Sequence, residues 1–521
     1  MKKLIGFASL LGAAALAPAL LQAQPPAAPA ANPASRSGTQ VYNEVCASCH
    51  GRDLKGGTAK SVFTDAYLKS HTDAQITAAI TKGPAGVANH AFGDLTENQV
   101  YQTMTYLKIQ GGNLNPKPTF VSNPDGEVIK SKKQTFHIEL VASGLETPWG
   151  LAFLPDGRLL VTERPGRLRI IDKDGRMSAP VKGTPRVYER QDSGMLDIAV
   201  SPTYAKDGWI YMAYTDVAPG NEIPPPPPPA VPNTGGGGGG GGPPAGPRPV
   251  LPPSMTVFVR GHLNANNEWT DTQEVWRAPP EVYTPGVTHY GTRFLFDNSG
   301  HLYFSLGERG DMTNAQKLTT PLGKIHRINV DGTIPTDNPF YNTDGAIKSI
   351  WSYGHRNPEG LAIDPRTGFL WETEHGPTGG DEVNLIQKGH NYGWGVISNG
   401  LQPGITKTSE KGMENPKKYY VPTVAPSGIR FYTGSKFPAW KNNLFVATLA
   451  GGALRRLEIS GDKIVADEVL YDNHGRNRAV AVGPDGNIYV LLQNPTGTGT
   501  GYGLAASTPG RLIRLVPGAG K

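Results

Sequence analysis

From Thr135 onward one phrase keeps returning, and it limits the fold more than any other feature of the chain. It reads Gly150-Leu-Ala-Phe-Leu-Pro-Asp-Gly-Arg-Leu-Leu-Val, then Asp197-Ile-Ala-Val-Ser-Pro with Gly208-Trp-Ile-Tyr-Met. It returns as Phe294-Leu-Phe-Asp-Asn-Ser-Gly-His-Leu-Tyr-Phe, Gly360-Leu-Ala-Ile-Asp-Pro-Arg-Thr-Gly-Phe-Leu and Val480-Ala-Val-Gly-Pro-Asp-Gly-Asn-Ile-Tyr-Val. Each copy is a short apolar run, an Asp-Gly or similar turn, and a second apolar run, which is a β-hairpin. Repeated hairpins with varied connections predict a β-propeller. The spacing of the copies is irregular, so they do not count the blades. With 66 Gly and 47 Pro but only 18% charged residues, the composition suits a turn-rich β protein. Residues 219–253 interrupt the pattern with six consecutive prolines and eight consecutive glycines, which have almost nothing to bury. They read as a disordered insertion in one blade connection.

The N-terminal part is built differently. Lys2 and Lys3 precede an apolar stretch of small residues, Leu4 to Leu21, and Leu21-Gln22-Ala23 suits signal peptidase. Residues 1–23 therefore read as a secretory signal peptide, which places the mature chain in the periplasm with no integral membrane segment left. Residues 24–37 are an Ala/Pro leader. Residues 38–112 have helical patterning, with a capping box at Thr72–Gln75, a helix stop near Gly83, and Val100, Met104 and Leu107 on one face of a third helix. Residues 113–134, with Pro116, Pro118 and Pro124, read as a linker. The net charge of +6 comes without any Lys/Arg run and gives no indication of a nucleic-acid partner.

Two cysteines are present, and both lie in Cys46-Ala-Ser-Cys49-His50. In an exported chain this is the signature for covalent c-type haem, with two thioether bonds and His50 on the iron. The domain resembles a small class I cytochrome c. Such domains place a methionine in the loop before the last helix, whereas this loop reads Gly86-Val87-Ala88-Asn89-His90-Ala91-Phe92-Gly93. His90 is the first candidate for the sixth ligand, with His71 and Met104 behind it. A His/His pair would lower the haem potential.

The densest cluster of polar and turn residues is Trp351–Gly395. It holds Gly354-His355-Arg356-Asn357-Pro358, then Glu374-His375-Gly376-Pro377, then Thr378-Gly379-Gly380-Asp381-Glu382, then Asn391-Tyr392-Gly393-Trp394. Gly and Pro fix backbone directions so that carbonyls can converge on a cation, and Asp381 and Glu382 offer the hard oxygen that Ca²⁺ prefers. The order GHRNPxGL, E-x-GP-x-x-x-DE-x-N, NYGW resembles the soluble quinoprotein sugar dehydrogenases, which use pyrroloquinoline quinone (PQQ) and Ca²⁺. The resemblance runs from about Glu139 to about Val516 and implies six blades within residues 135–518.

The resemblance also implies roles. His289 matches the base that takes the proton from the sugar hydroxyl, a task suited to imidazole. Asn357 matches a PQQ contact, and Arg476 and Arg478 match arginines that grip PQQ carboxylates, a bidentate task for guanidinium. The Gly376 and Pro377 carbonyls match the Ca²⁺ beside PQQ. Glu382 and the Tyr392 carbonyl match a second Ca²⁺. Three positions depart from the pattern: Asp192 stands for a PQQ-contacting Gln, Thr288 for the Asp before the base, and Ala450 for a PQQ-contacting Lys. The expectation is an all-α cytochrome c domain followed by an all-β six-bladed propeller. Together they form a quinohaemoprotein that oxidises a sugar or related alcohol and passes electrons through haem to an external protein or quinone. The alternatives are a non-enzymatic carbohydrate- or protein-binding propeller with a separate electron-transfer domain, and an enzyme for non-sugar alcohols.

Overall fold

The computed structural model describes residues 36–518 except 60, 62–63, 85–86, 88–89, 115–119, 226–249 and 494–508. The expected signal peptide, nearly all of the leader, and the centre of the Pro/Gly insertion lie outside the described residues.

The N-terminal domain comprises α1 (Gly38–Val41), a π-helical turn Tyr42–Cys46, α2 (Ala47–His50), α3 (Asp65–Ser70), α4 (Asp73–Lys82) and α5 (Glu97–Leu114). The capping box at α4 is present, with the Thr72 side chain accepting from Gln75 N and the Gln75 side chain accepting from Thr72 N. A second box opens α5, where Thr96 and Gln99 exchange bonds of 3.0 and 3.2 Å. Val100, Met104 and Leu107 are buried as their spacing predicts. α1 crosses α5 at Gly38, where a Cβ would run into the backbone of Gln102 and Thr103. Only glycine allows the two helices to approach so closely.

Six antiparallel sheets follow. Their innermost strands are Pro148–Phe153, Met195–Val200, Phe294–Phe296, Pro358–Ile363, Pro426–Phe431 and Arg476–Val482. Each touches the next, and the last touches the first, so the sheets close a ring around a central cavity of about 390 Å³. Each of the six blade interfaces has its own apolar cluster, such as Leu151, Val161, Tyr489 and Leu491 between first and last. The ring is latched by its two ends: strand Thr135–Leu145 pairs antiparallel with Gly510–Pro517, with Ile138 opposite Leu515. The expected linker ends earlier than its composition suggests. Val128–Lys130 pairs antiparallel with strand Thr135–Leu145, Val128 facing His137, and adds a fifth strand to the closing blade. The five repeated phrases are the two inner strands of five blades. The sixth, at Pro426–Phe431 and Leu444–Thr448, carries a 3-10 turn Pro438–Trp440 between its strands, which hides the phrase. The Pro/Gly insertion leaves and rejoins blade two at neighbouring points, Ala218 N donating to Pro253 O at 2.8 Å.

Candidate active site

In the N-terminal domain, Cys46, Cys49, His50 and His90 line one apolar cavity of about 520 Å³ together with Leu68, Ile80 and Leu107. The two thiols are free, and burial together with the neighbouring Cys49 pushes Cys46 up to about 11. His50 and His90 face each other edge to face with ring centroids 5.9 Å apart, and His90 Nδ1 is buried with no hydrogen-bond partner. The other two candidates for the sixth ligand are engaged elsewhere. His71 Nδ1 lies 2.9 Å from Tyr67 O and its ring stacks on Tyr67. Met104 packs in the core with Val41, Ile76 and Val100.

In the propeller, the loop before strand Phe294–Phe296 holds His289 at φ 53°, a left-handed conformation that is costly for a residue with a side chain. The surroundings enforce it. Arg309 lies over the Tyr290 ring at 3.4 Å, donates to Thr288 O at 2.9 Å and also bonds Gly286 O. His289 Nδ1 stands 2.6 Å from Oε2 of Glu308, whose side chain is buried. Strand pairing brings the two together, since Phe294 is opposite Phe304 and Thr292 N bonds Ser305 O. The Asp missing at Thr288 is thus answered by a carboxylate 19 residues after His289. The sequence hint was an acid in a Gly-Glu-Arg-Gly turn at the end of a strand.

Asn357 is braced within the protein: its Oδ1 accepts from Gly291 N at 2.9 Å and its Nδ2 donates to Glu359 Oε1 at 3.2 Å. It ties the His289 loop to Glu359, which the sequence reading did not single out. Glu359 is ion-paired with Arg478, accepts from Ser427 Oγ at 2.9 Å and lies 3.7 Å from His375 Nε2. Burial alone would raise its carboxyl, but Arg478, His375 and Ser427 outweigh burial and hold it at about 2. Arg478 is therefore buried and partnered, not part of a solvated strand edge. Arg476, unlike Arg478, has no ion pair among the described residues; its Nε is buried with no hydrogen bond, as is that of Arg478, and burial followed by the nearby Arg478 lowers it to about 10. Arg356 and Arg164 also have buried, unpartnered Nε atoms. The exposed Asp192 lies within electrostatic reach of Arg309, Arg356, Arg476 and Arg478. Ala450 supplies no charge; its N donates to Val424 O.

Gly376, Pro377, Glu382 and Tyr392 surround one small void of about 10 Å³, joined by Glu374, Gly380 and Ser398. That is room for about one water-sized sphere. Among the described residues, the carbonyls of Gly376, Pro377 and Tyr392 accept no hydrogen bond. Asp381 is not available to an ion: Oδ1 accepts from Gly376 N, and Oδ2 accepts from Thr423 Oγ1, Val424 N and Ala425 N. It folds the loop instead. Behind the void the buried Glu372 and Glu374 and the half-buried Glu382 share one amide, Asn384 Nδ2 lying 3.1 Å from Glu372, 3.3 Å from Glu374 and 3.1 Å from Glu382. Burial and then Glu374 push Glu382 up to about 8. His355, Glu372 and Glu374 present ligand atoms within 4.8 Å of one another. Buried acids crowded in this way, beside uncommitted carbonyls, fit a hard divalent cation.

The profile of the glucose/sorbosone dehydrogenases matches residues 145–501. The chain belongs to that family. As a member it is a PQQ-dependent oxidoreductase with a six-bladed propeller. The profile of cbb3-type cytochrome c oxidase subunit III matches residues 33–107, so the helical domain is a cytochrome c domain. The aldose sugar dehydrogenase YliI of Escherichia coli (strain K12) is 36% identical over 372 residues, covering 70% of this chain and 91% of that protein. The structure of the soluble aldose sugar dehydrogenase of Escherichia coli in its apo form has a TM-score of 0.62 at 32% identity, covering 74% of this chain and all of that one. The PQQ-bound aldose sugar dehydrogenase of Streptomyces coelicolor has a TM-score of 0.56 at 28% identity, covering 73% and 98%. Among the described residues no helix of this family member is long and apolar enough to cross a membrane.

Proposed function

We propose that the chain is a periplasmic quinohaemoprotein that oxidises the hydroxyl of an aldose or related alcohol and delivers the electrons through its own haem to an external protein or quinone. The observation that carries this is the His289–Glu308 pair. A backbone-constrained imidazole has one nitrogen fixed by a buried carboxylate, and its Nε2 makes no hydrogen bond among the described residues. Glu308 fixes the tautomer with the proton on Nδ1, so Nε2 can accept the proton of a substrate hydroxyl. Arg309 keeps the loop in place. The unpartnered N–H groups of Arg476 and Arg356 suit a ligand with several carboxylates, which is what PQQ is. PQQ, when bound, supplies the two-electron acceptor, and Ca²⁺ among Gly376, Pro377, Glu382 and Tyr392 would add positive charge beside it. Cys46 and Cys49 would carry the haem by thioether bonds, with His50 and His90 as axial ligands. Oxidising one aldose to a lactone removes two electrons and two protons. Haem iron takes one electron per cycle, so two passages to the external acceptor follow each turnover while the protons go to solvent.

The test is an absorption spectrum of the exported protein with PQQ and Ca²⁺, before and after a panel of aldoses and simple alcohols. Haem bands that shift to the reduced form only with PQQ and an aldose support the proposal. Bands that no aldose changes sink it, and reduction by simple alcohols alone moves the substrate class.

A further inference from the structure

The helix that walls the haem cavity also rests on the propeller. Thr103 and Leu107 of α5 line the cavity on one side. On the other, Tyr101 Oη donates to Asn399 O at 2.9 Å and Gln102 Nε2 donates to Ile405 O at 3.3 Å. The same Gln102 accepts from Gly38 N at 3.2 Å through Oε1, so it joins α1 and α5 to the propeller. Ile109 is buried, and a Cβ on Gly379 would lie 3.4 Å from its Cδ1. Gly379 belongs to the Gly376–Gly380 loop beside the small void, and Asn399 lies close enough to Glu382 on its rim to draw that carboxyl downward. The far end of the connection is pinned too. Val121 N donates to Asn473 O at 2.9 Å, and Glu127 pairs with His474 at 2.6 Å, two residues before Arg476.

We infer that Tyr101, Gln102 and Ile109 form an intramolecular docking surface that holds the haem domain fixed on the cation loop, with α5 reaching from the haem cavity to that loop. The partner of this surface is the chain's own propeller. Its polar contacts fix the register of the helix, and the apolar contact at Ile109 excludes water between them. A fixed placement makes electron passage unimolecular, so it needs no search by a tethered domain. The inference rests on the proposed function for that consequence, but the docking itself does not.

The experiment compares the full-length protein, carrying haem, PQQ and Ca²⁺, with Ile109→Asp and with the milder Tyr101→Phe. Hydrogen exchange is read at 376–380 and 399–405. Stopped-flow absorbance follows haem reduction by glucose, and a small artificial dye reports the propeller alone. Faster exchange in both segments, with haem reduction slowed about tenfold or more in Ile109→Asp and less in Tyr101→Phe, is expected while dye reduction holds. A dithionite-reduced haem spectrum equal to the wild type's shows that the domain is still folded. Unchanged exchange overturns the docking. Raised exchange with unchanged haem reduction overturns the claim that docking matters for electron passage. Wild-type protein that reduces neither dye nor haem fails the proposed function, and that is seen before any variant is compared.

Discussion

His289 is useful as a base only while its ring is held, and Glu308 is what holds it. Glu308→Gln keeps the shape but loses the charge that fixes the tautomer. We expect kcat to fall about tenfold or more while PQQ binding, read by fluorescence titration, is retained; His289→Ala should fall about 10²–10⁴-fold. Equal binding loss in both would make the pair structural. Glu359 makes a separate prediction. Its carboxyl sits at about 2, below the usual 4.5, so it adds stability above about pH 4.5 that is lost as pH falls toward 2. The size is about 3 kcal/mol. Glu359→Gln should therefore lower Tm at neutral pH, and the gap to wild type should narrow below about pH 4 in thermal unfolding across pH. A gap that does not change with pH would assign the loss to packing.

The elements show where glycine is required and where a motif can be lengthened. α1 and α5 meet at Gly38, and a methyl there has no room because its neighbours are backbone atoms. Gly38→Ala should destabilise the haem domain by about 1–3 kcal/mol, seen as an earlier thermal transition of the haem absorbance with the propeller transition unmoved. The hairpins of the propeller tolerate long connections because their ends are already paired. Ala218 and Pro253 meet across the Pro/Gly insertion, and Leu444 follows an extra 3-10 turn without losing its place opposite Phe431.

At the scale of the molecule, the ring depends on closure and on the loops gathered at one end. The chain's first long strand latches to its last, so blade one cannot separate from blade six without breaking that sheet. The crowded acids Glu372, Glu374 and Glu382 are costly to bury without a counter-charge. Excess chelator should lower the propeller Tm by about 3–8 °C, with Ca²⁺ restoring it more fully than Mg²⁺. No change on chelation would mean that protons and Asn384 alone satisfy the glutamates.

The sequence by itself determined the repeated hairpins, the cytochrome helices with the capping box at Thr72–Gln75, and the Cys46-Ala-Ser-Cys49-His50 signature. These are local: a turn, a cap or a haem motif is written in adjacent residues. The number of blades was not local, because one blade hides its hairpin behind Pro438–Trp440 and the last borrows Thr135–Leu145 from the far end of the chain. Only the tertiary structure put Glu308 against His289, tied Arg478 to Glu359, took Asp381 out of the cation site and laid α5 on the Gly376–Gly380 loop. Each of those joins residues that are distant in sequence or compete for one partner. Which pairing wins is decided by how the blades and the haem domain pack.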